Sequence, residues 1–112
     1  MKNLFEKIID REIPSDIVYE DDISIAFYDI SPQAPTHILI IPKKRITRPE
    51  LIDKIDEEVV GHLFTVARII ANKLNISTGY RLVMNNGEDA GQSVFHIHLH
   101  FLAGRKLSWP PG

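Results

Sequence analysis

Phe95-His96-Ile97-His98-Leu99-His100-Phe101 is the stretch that decides both the predicted fold and the predicted chemistry of this chain. Alternate residues of a β-strand lie on one face, about 6.6 Å apart at a rise of about 3.3 Å per residue. A strand therefore places the histidines in one row and the apolar residues on the opposite face, where they would pack against a core. Because histidine acts as a base, an acid or a metal ligand near neutral pH, the row predicts a functional site.

The row alone is compatible with three interpretations. Alternate histidines on a strand bind zinc or iron when further ligands arrive from elsewhere. They also suit catalysis by imidazole itself, with one ring as nucleophile and the others as proton donors. The third interpretation is a polar sheet face that happens to contain histidine. The preceding loop favours phosphoryl chemistry, because Gly91, Gln92 and Ser93 bring backbone N–H groups and a hydroxyl that suit an anion.

Composition limits the class of protein. The chain has 112 residues, of which 44% are hydrophobic, and this predicts one globular domain. A formal net charge of −2 gives no basic face for a nucleic-acid polymer. The chain has no cysteine, which excludes thiolate chemistry and is typical of intracellular proteins. No apolar stretch has the length of a signal peptide or a membrane span, so we expect a cytoplasmic protein without a membrane partner.

Helical periodicity predicts two helices. A short N-terminal helix is indicated over about residues 3–10, where apolar residues recur at helical spacing. A long helix is indicated from Asp56 to Leu74, where the apolar residues follow the 3.6-residue period. Asp56 is the predicted N-cap of this helix, and Ile55 is predicted to pack against Val60 as a hydrophobic staple.

Four further segments have the pattern of strands: 16–20, 23–29, 37–41 and 80–84. Gly79 marks the predicted exit from the long helix. With the histidine strand, these segments predict an α+β fold with a mainly antiparallel five-stranded sheet, one long helix and a short N-terminal helix. We expect a single domain over residues 1–112, with a C-terminal tail over about residues 104–112.

The histidine strand and its flanks resemble the histidine-triad (HIT) superfamily of nucleotide-binding proteins. The run Gln92–Leu102 is similar to the His-x-His-x-His signature of this superfamily, in which x is apolar. A likeness to the Hint branch extends to four more segments: Asp29–His37, Ile41–Lys44, Gly79–Arg81 and Trp109–Gly112. The resemblance therefore covers nearly the whole chain and implies a HIT-like fold.

The resemblance implies a hydrolase that cleaves the P–N bond of purine nucleoside 5′-phosphoramidates and releases a nucleoside monophosphate and an amine. It implies that His98 is the nucleophile and becomes transiently nucleotidylated, while a backbone carbonyl near His96 holds its second ring nitrogen. His100 would stabilise phosphate oxygens or assist the departing amine, and His37 would complete a histidine cluster. Ser93 would form a hydrogen bond near the leaving group. Neither a cofactor nor a metal is implied.

The resemblance also implies a binding site for purine nucleotides such as AMP and GMP. Asp29 would accept hydrogen bonds from the ribose hydroxyls, as an ionised carboxylate does well. Asn85 and the backbone from Gly91 through Gln92 to Ser93 would bind the phosphate. An apolar slot for the base is implied at five positions: Leu4, Phe5, Ile8, Phe27 and Ile30. Without the resemblance, these side chains would be assigned to an ordinary core.

The resemblance implies a homodimer in which the long helix and the strand near Tyr80–Met84 join across a two-fold axis. The tail with Trp109 would approach the active site of the partner and help to select the substrate, whereas the sequence alone is equally compatible with a disordered tail. His62, on the long helix, is not assigned to the site. Two positions depart from the common Hint pattern: Tyr28 stands in place of a histidine, and Asn86 in place of a glutamate.

Other functions stay open on the sequence. A metal-dependent enzyme would lose activity with a chelator, and a regulatory scaffold would bind its partners without the histidines. Hydrolases of dinucleoside polyphosphates and sugar-nucleotide transferases are the nearest alternatives within the superfamily. The tail argues against the former, and the third histidine argues against the latter.

Overall fold

A five-stranded antiparallel sheet lies at the centre of the protein. Its strands are β1 (Ile17–Glu20), β2 (Ser24–Tyr28), β3 (Thr36–Pro42), β4 (Arg81–Val83) and β5 (Leu99–Ala103). They are ordered β1-β2-β3-β5-β4, and every neighbouring pair is antiparallel. The computed structural model describes residues 1–112, and it confirms the predicted α+β architecture.

Two helices cover opposite faces of this sheet. The long helix α2 (Glu57–Lys73) buries its apolar stripe against one face, within a core cluster of 14 buried residues. The short helix α1 (Leu4–Ile9) contributes Phe5 and Ile8 to a smaller cluster of six on the other face. Neither helix is long and apolar enough to cross a membrane.

Strand β3 shows why its sequence is a continuous apolar run. Ile38 and Ile40 point into the α2 cluster, whereas Leu39 and Ile41 point into the α1 cluster. A strand that is buried on both faces has no polar face to alternate with. In the β3–β5 register, Leu39 lies opposite His100, so the alternation places His100 on the α1 side of the sheet.

Asp56 occupies the predicted N-cap position of α2, but it has helical dihedral angles and its side chain makes no capping hydrogen bond to α2, because it closes a preceding 3₁₀ turn, Lys54–Asp56. Its carboxylate accepts a hydrogen bond from the N–H of Asp53 and pairs with Lys44. Ile55 is 82% exposed and forms no staple. At the other end, α2 stops at Lys73, well before Gly79.

The cations that follow β3 each have an acidic partner from another element: Lys43 with Glu20, Lys44 with Asp56 and Arg45 with Glu6. These ion pairs tie the end of β3 to the β1 strand, to the start of α2 and to α1. The basic run in the sequence therefore serves internal contacts of the fold.

Candidate active site

The histidine segment is only partly a β-strand. His100 lies within β5, whereas His96 lies in a bend and His98 in the irregular segment between this bend and the strand. Between them, the N–H of Ile97 donates to the carbonyl of Ile46 at 2.8 Å, which holds this segment outside the sheet. The rings of His98 and His100 still lie next to each other, with centroids 5.0 Å apart.

The apolar residues of the segment face the other way, with one exception. Ile97, Leu99 and Phe101 are buried in the cluster that α2 covers. Phe95 is 44% exposed, so the prediction that it anchors the segment is wrong. It lies in a bend, before the chain reaches this core.

The ring of His98 is held by its own main chain. Its Nδ1 donates to the carbonyl oxygen of His96 at 2.8 Å. Because a carbonyl oxygen only accepts, Nδ1 carries the proton of the neutral ring and Nε2 keeps a free lone pair. Burial lowers the pKa of His98 below its ordinary value, although the hydrogen bond and Asp29 oppose this. His98 is therefore a neutral imidazole at pH 7, with an unprotonated Nε2.

His96 uses both ring nitrogens inside the protein. Its Nε2 donates to the carbonyl of Pro42 at 2.7 Å, and its Nδ1 lies 3.2 Å from the side-chain amide nitrogen of Asn3. The residue is fully buried, and burial lowers the pKa of the ring. His96 is therefore a neutral residue whose ring binds within the protein and does not line the cavity.

His37 and His100 form a second hydrogen-bonded pair. The N–H of Gln33 donates to His37 Nδ1 at 3.0 Å, so the proton of His37 lies on Nε2, which is 2.9 Å from His100 Nδ1. His100 Nδ1 must then accept, and the neutral ring presents Nε2–H. Burial, followed by the neighbouring His98 and His37, lowers the pKa of His100 to about 4. The ring is thus a neutral hydrogen-bond donor.

A cavity of about 270 Å³ opens on the α1 side of the sheet, next to these rings. Nine of the predicted site residues line it: Leu4, Phe5, Ile8, Phe27, Asp29, Ile30, Ser93, His98 and His100. Six lining residues were missed from the sequence: Ile13, Pro14, Ser15, Tyr28, Leu39 and Val94. The Ile13-Pro14-Ser15 segment follows the turn after α1, and its proline indicated only the end of a helix.

The apolar wall of the cavity is in contact with the histidines. The ring of Phe5 meets Phe27 edge-on with centroids 5.6 Å apart, and it meets His98 edge-on at 5.1 Å. A larger and more open hollow of about 560 Å³ lies elsewhere, lined partly by Arg81, Arg105 and Lys106. It contains none of the histidines, so the chemistry of the triad belongs to the smaller cavity.

The loop before the histidines differs from its predicted role. The N–H groups of Gly91 and Gln92 donate to carbonyls of the same loop at 2.9 and 3.1 Å, so neither is free to bind an anion. The Gln92 side chain is also satisfied internally, by Gly87, Thr47 and Val94. Ser93 is the predicted loop residue that reaches the cavity.

Two other predicted binding residues lie outside the cavity lining. Asn85 is half-buried, and its side chain makes no hydrogen bond within the chain. Trp109 is 82% exposed, in a tail that contains no helix or strand after Ala103. Within one chain, the structure therefore does not bring either residue to the histidines.

Asp29, His37 and His100 place one potential metal-ligating atom each within 4.8 Å of one another. Asp29 Oδ2 is 3.5 Å from His37 Nε2, while Oδ1 accepts from the N–H of Ser31. A cation here would have to displace the proton that His37 and His100 share. The donor set therefore fits a hydrogen-bonded imidazole pair better than a metal centre.

Comparison with known proteins assigns this arrangement to a family. The model of the HIT domain matches residues 10–107. The chain belongs to the HIT family. An uncharacterized HIT-like protein from Synechocystis sp. is 52% identical over 97% of this chain and 96% of its own length.

Solved HIT structures share the fold. A HIT family hydrolase from Legionella pneumophila has a TM-score of 0.96 at 47% identity, covering 99% of this chain and 100% of that one. A histidine triad nucleotide-binding protein from Candida albicans has a TM-score of 0.81 at 31% identity, covering 97% of this chain and 83% of that one. The HIT domain thus accounts for the whole sheet and for the histidine segment.

Proposed function

We propose that this HIT protein is a Hint-type phosphoramidase, which cleaves the P–N bond of purine nucleoside 5′-phosphoramidates. The observation that carries the proposal is the free Nε2 of His98, unprotonated and next to a cavity of about 270 Å³. Hydrolases and a nucleotide-binding protein among the HIT neighbours support it. The products are a nucleoside monophosphate and an amine.

In the first step, His98 Nε2 attacks the α-phosphorus, and the bond from phosphorus to the amine nitrogen breaks. The new P–Nε2 bond leaves a positive charge on the ring, which strengthens the hydrogen bond from Nδ1 to the carbonyl of His96. The departing amine takes up one proton from solvent, relayed by the hydroxyl of Ser93 at the cavity. This hydroxyl has no partner within the chain and is exposed.

In the second step, water attacks the phosphorus and the P–Nε2 bond breaks. The water releases one proton to solvent, which balances the proton taken up by the amine. In both steps, the Nε2–H of His100 donates to a phosphoryl oxygen, where negative charge develops. The tautomer that His37 imposes favours this role over that of a proton donor to the amine, because His100 has no second proton to give.

The nucleoside half fits the remaining lining of the cavity. Leu4, Phe5 and Ile8 of α1 offer an apolar wall to a purine base, and Phe27 completes it from the sheet. Asp29 Oδ2 is free of backbone hydrogen bonds, because the Ser31 N–H binds the other oxygen. It is therefore available to accept from ribose hydroxyls.

We propose a homodimer with a cytoplasmic location, and a tail that acts on the partner. The support is the open edge of β4 and the exposure of Phe64 on α2 and Tyr80 before β4, which are 51% and 38% exposed. In such a dimer, Trp109 would reach the cavity of the other subunit. Light scattering of the purified protein tests the assembly, and a monomeric mass at working concentration would contradict it.

The decisive experiment uses adenosine 5′-phosphoramidate labelled in the phosphate. After rapid quenching, the label should be found on His98 as an adduct that is labile in acid and stable in base. His98→Ala should abolish turnover and retain AMP binding, whereas His62→Ala, outside the cavity, serves as the control. Full turnover by His98→Ala would exclude the mechanism.

A further inference from the structure

The side chain of Asn3, just before α1, uses both of its polar atoms. Its Oδ1 accepts from the N–H of Glu6 at 2.8 Å, and its amide nitrogen lies 3.2 Å from His96 Nδ1. A backbone N–H only donates, so the oxygen must face Glu6 and the amide N–H must face His96. Because His96 Nε2 already donates to Pro42, its Nδ1 is free to accept this hydrogen bond.

These contacts place one residue between the nucleoside wall and the nucleophile. On one side, Asn3 is the N-cap of α1, a helix of six residues that is too short to be stable alone. This helix carries Leu4, Phe5 and Ile8, which line the cavity. On the other side, the Asn3 amide binds Nδ1 of His96, so both nitrogens of this ring are held by hydrogen bonds.

The pinned residue also supplies the acceptor for the nucleophile. The main-chain carbonyl of His96 is the atom that holds His98 Nδ1. A His96 that rotated or changed tautomer would lose a hydrogen bond to Pro42 or to Asn3, and its carbonyl would be less firmly placed. The chain of contacts therefore runs from α1 through Asn3 and His96 to His98.

We propose that Asn3 is a positioning residue of this site, which fixes the neutral tautomer of His96 and thereby couples the base-binding wall to the orientation of His98. The inference rests on the proposed function, in which His98 is the nucleophile. Asn3 contacts no reacting atom, and its effect passes through His96. The charged and titratable groups that face His96 are Glu6, Arg45 and His98.

The test compares two variants that keep the helix cap, because serine and aspartate cap helices about as well as asparagine. Asn3→Ser removes the amide that reaches His96. Asn3→Asp replaces it by a carboxylate, which cannot donate to Nδ1 and favours the imidazolium form of His96. We expect both variants to lower kcat for adenosine phosphoramidate by up to about tenfold, with a smaller change in KM.

The second readout is the ¹⁵N NMR spectrum of His96 during a pH titration. In the wild type, His96 should titrate below the ordinary histidine value, with the proton of the neutral ring on Nε2. In Asn3→Asp, the pKa of His96 should rise. The matched control is Glu6→Ala, which removes the reciprocal capping bond and leaves the Asn3 amide in place. It also removes an anion, so it should lower the pKa of His96, opposite in sign to Asn3→Asp.

An unchanged His96 spectrum in Asn3→Asp would overturn the proposal. It would also be overturned if Asn3→Ser and Glu6→Ala raised KM equally and left kcat unchanged, since Asn3 would then act only as a helix cap. If the wild type cleaved no phosphoramidate, the proposed function would fail separately. The NMR spectrum of His96 would still decide whether Asn3 fixes the ring.

Discussion

Replacing His100 by glutamine should weaken the dependence of stability on pH. The pKa of His100 is lowered from 6.5 to about 4 in the folded protein, because the half-buried ring is partly removed from water and lies next to two other histidines. Between these values the unfolded chain binds a proton that the folded protein does not bind. Stability from this residue is therefore complete above about pH 6.5 and is lost as the pH falls towards 4.

The expected magnitude follows from that difference in pKa. A shift of one unit corresponds to about 1.4 kcal/mol, so His100 contributes up to about 3 kcal/mol over the whole range. About 2 kcal/mol of this should be lost between about pH 6.5 and about pH 5, before most carboxylates titrate. Because the three rings interact, the loss belongs partly to the cluster.

The assay is urea unfolding of the wild type and His100→Gln at several pH values across this range. The wild type should lose more free energy of unfolding on acidification than the variant does, whatever their difference at neutral pH. His100→Asn provides a second neutral replacement with different packing. Parallel pH profiles for all three proteins would refute the account of a half-buried, neutral His100.

Three further predictions concern other parts of the molecule. Asp21→Asn should destabilise the protein by about 1–3 kcal/mol in thermal unfolding, because both carboxylate oxygens accept hydrogen bonds: Oδ2 from Tyr19 and His62, and Oδ1 from Ser24. Gly104→Ala should cost at least about 1 kcal/mol in the same assay, since Gly104 has a φ of +96° and a Cβ there would lie 2.8 Å from Pro35. A Gly104→Ala variant as stable as the wild type would contradict this geometry. Finally, prolonged treatment with a chelator should leave phosphoramidate cleavage unchanged, and a loss that zinc restores would favour a metal at Asp29 instead.

Much of the fold could be predicted from periodicity alone. The two helices and all five strands lie within a few residues of their predicted positions. These elements were predictable because burial on one face or two imposes a regular pattern on the sequence. The exposure of Ile55 and the hydrogen bonds of the Asp56 side chain were not predictable in this way, since the 3₁₀ turn before α2 directs the Asp56 carboxylate to the N–H of Asp53 and to Lys44, which is 12 positions away.

The residues of the candidate site could largely be predicted, whereas most of their hydrogen bonds could not. Resemblance to a known family supplied the base slot and Asp29, and all six of these residues line the cavity together with Ser93, His98 and His100. A local sequence pattern does not show which acceptors the hydrogen-bond donors of a loop bind. Gln92 precedes the histidines in sequence, yet its amide spans a turn and binds Thr47, a residue 45 positions away. Tertiary hydrogen bonds of this kind leave no periodic pattern in the sequence, so they cannot be predicted as a helix or a strand can.

The way in which the histidines are oriented determines which residues around the site can be substituted without disturbing the rings. Three of the four rings are set by main-chain atoms, namely the carbonyls of Pro42 and His96 and the N–H of Gln33. Main-chain atoms survive substitution of the side chains that carry them. The surroundings of the site can therefore diverge, and new substrates can be accommodated, while the protonation pattern of the rings is inherited unchanged. Two side-chain contacts are the exceptions, because His37 orients His100 and Asn3 binds the second ring nitrogen of His96. Of these two residues only Asn3 lies outside the histidine cluster, so substitution of Asn3 would disturb the rings without removing one of them.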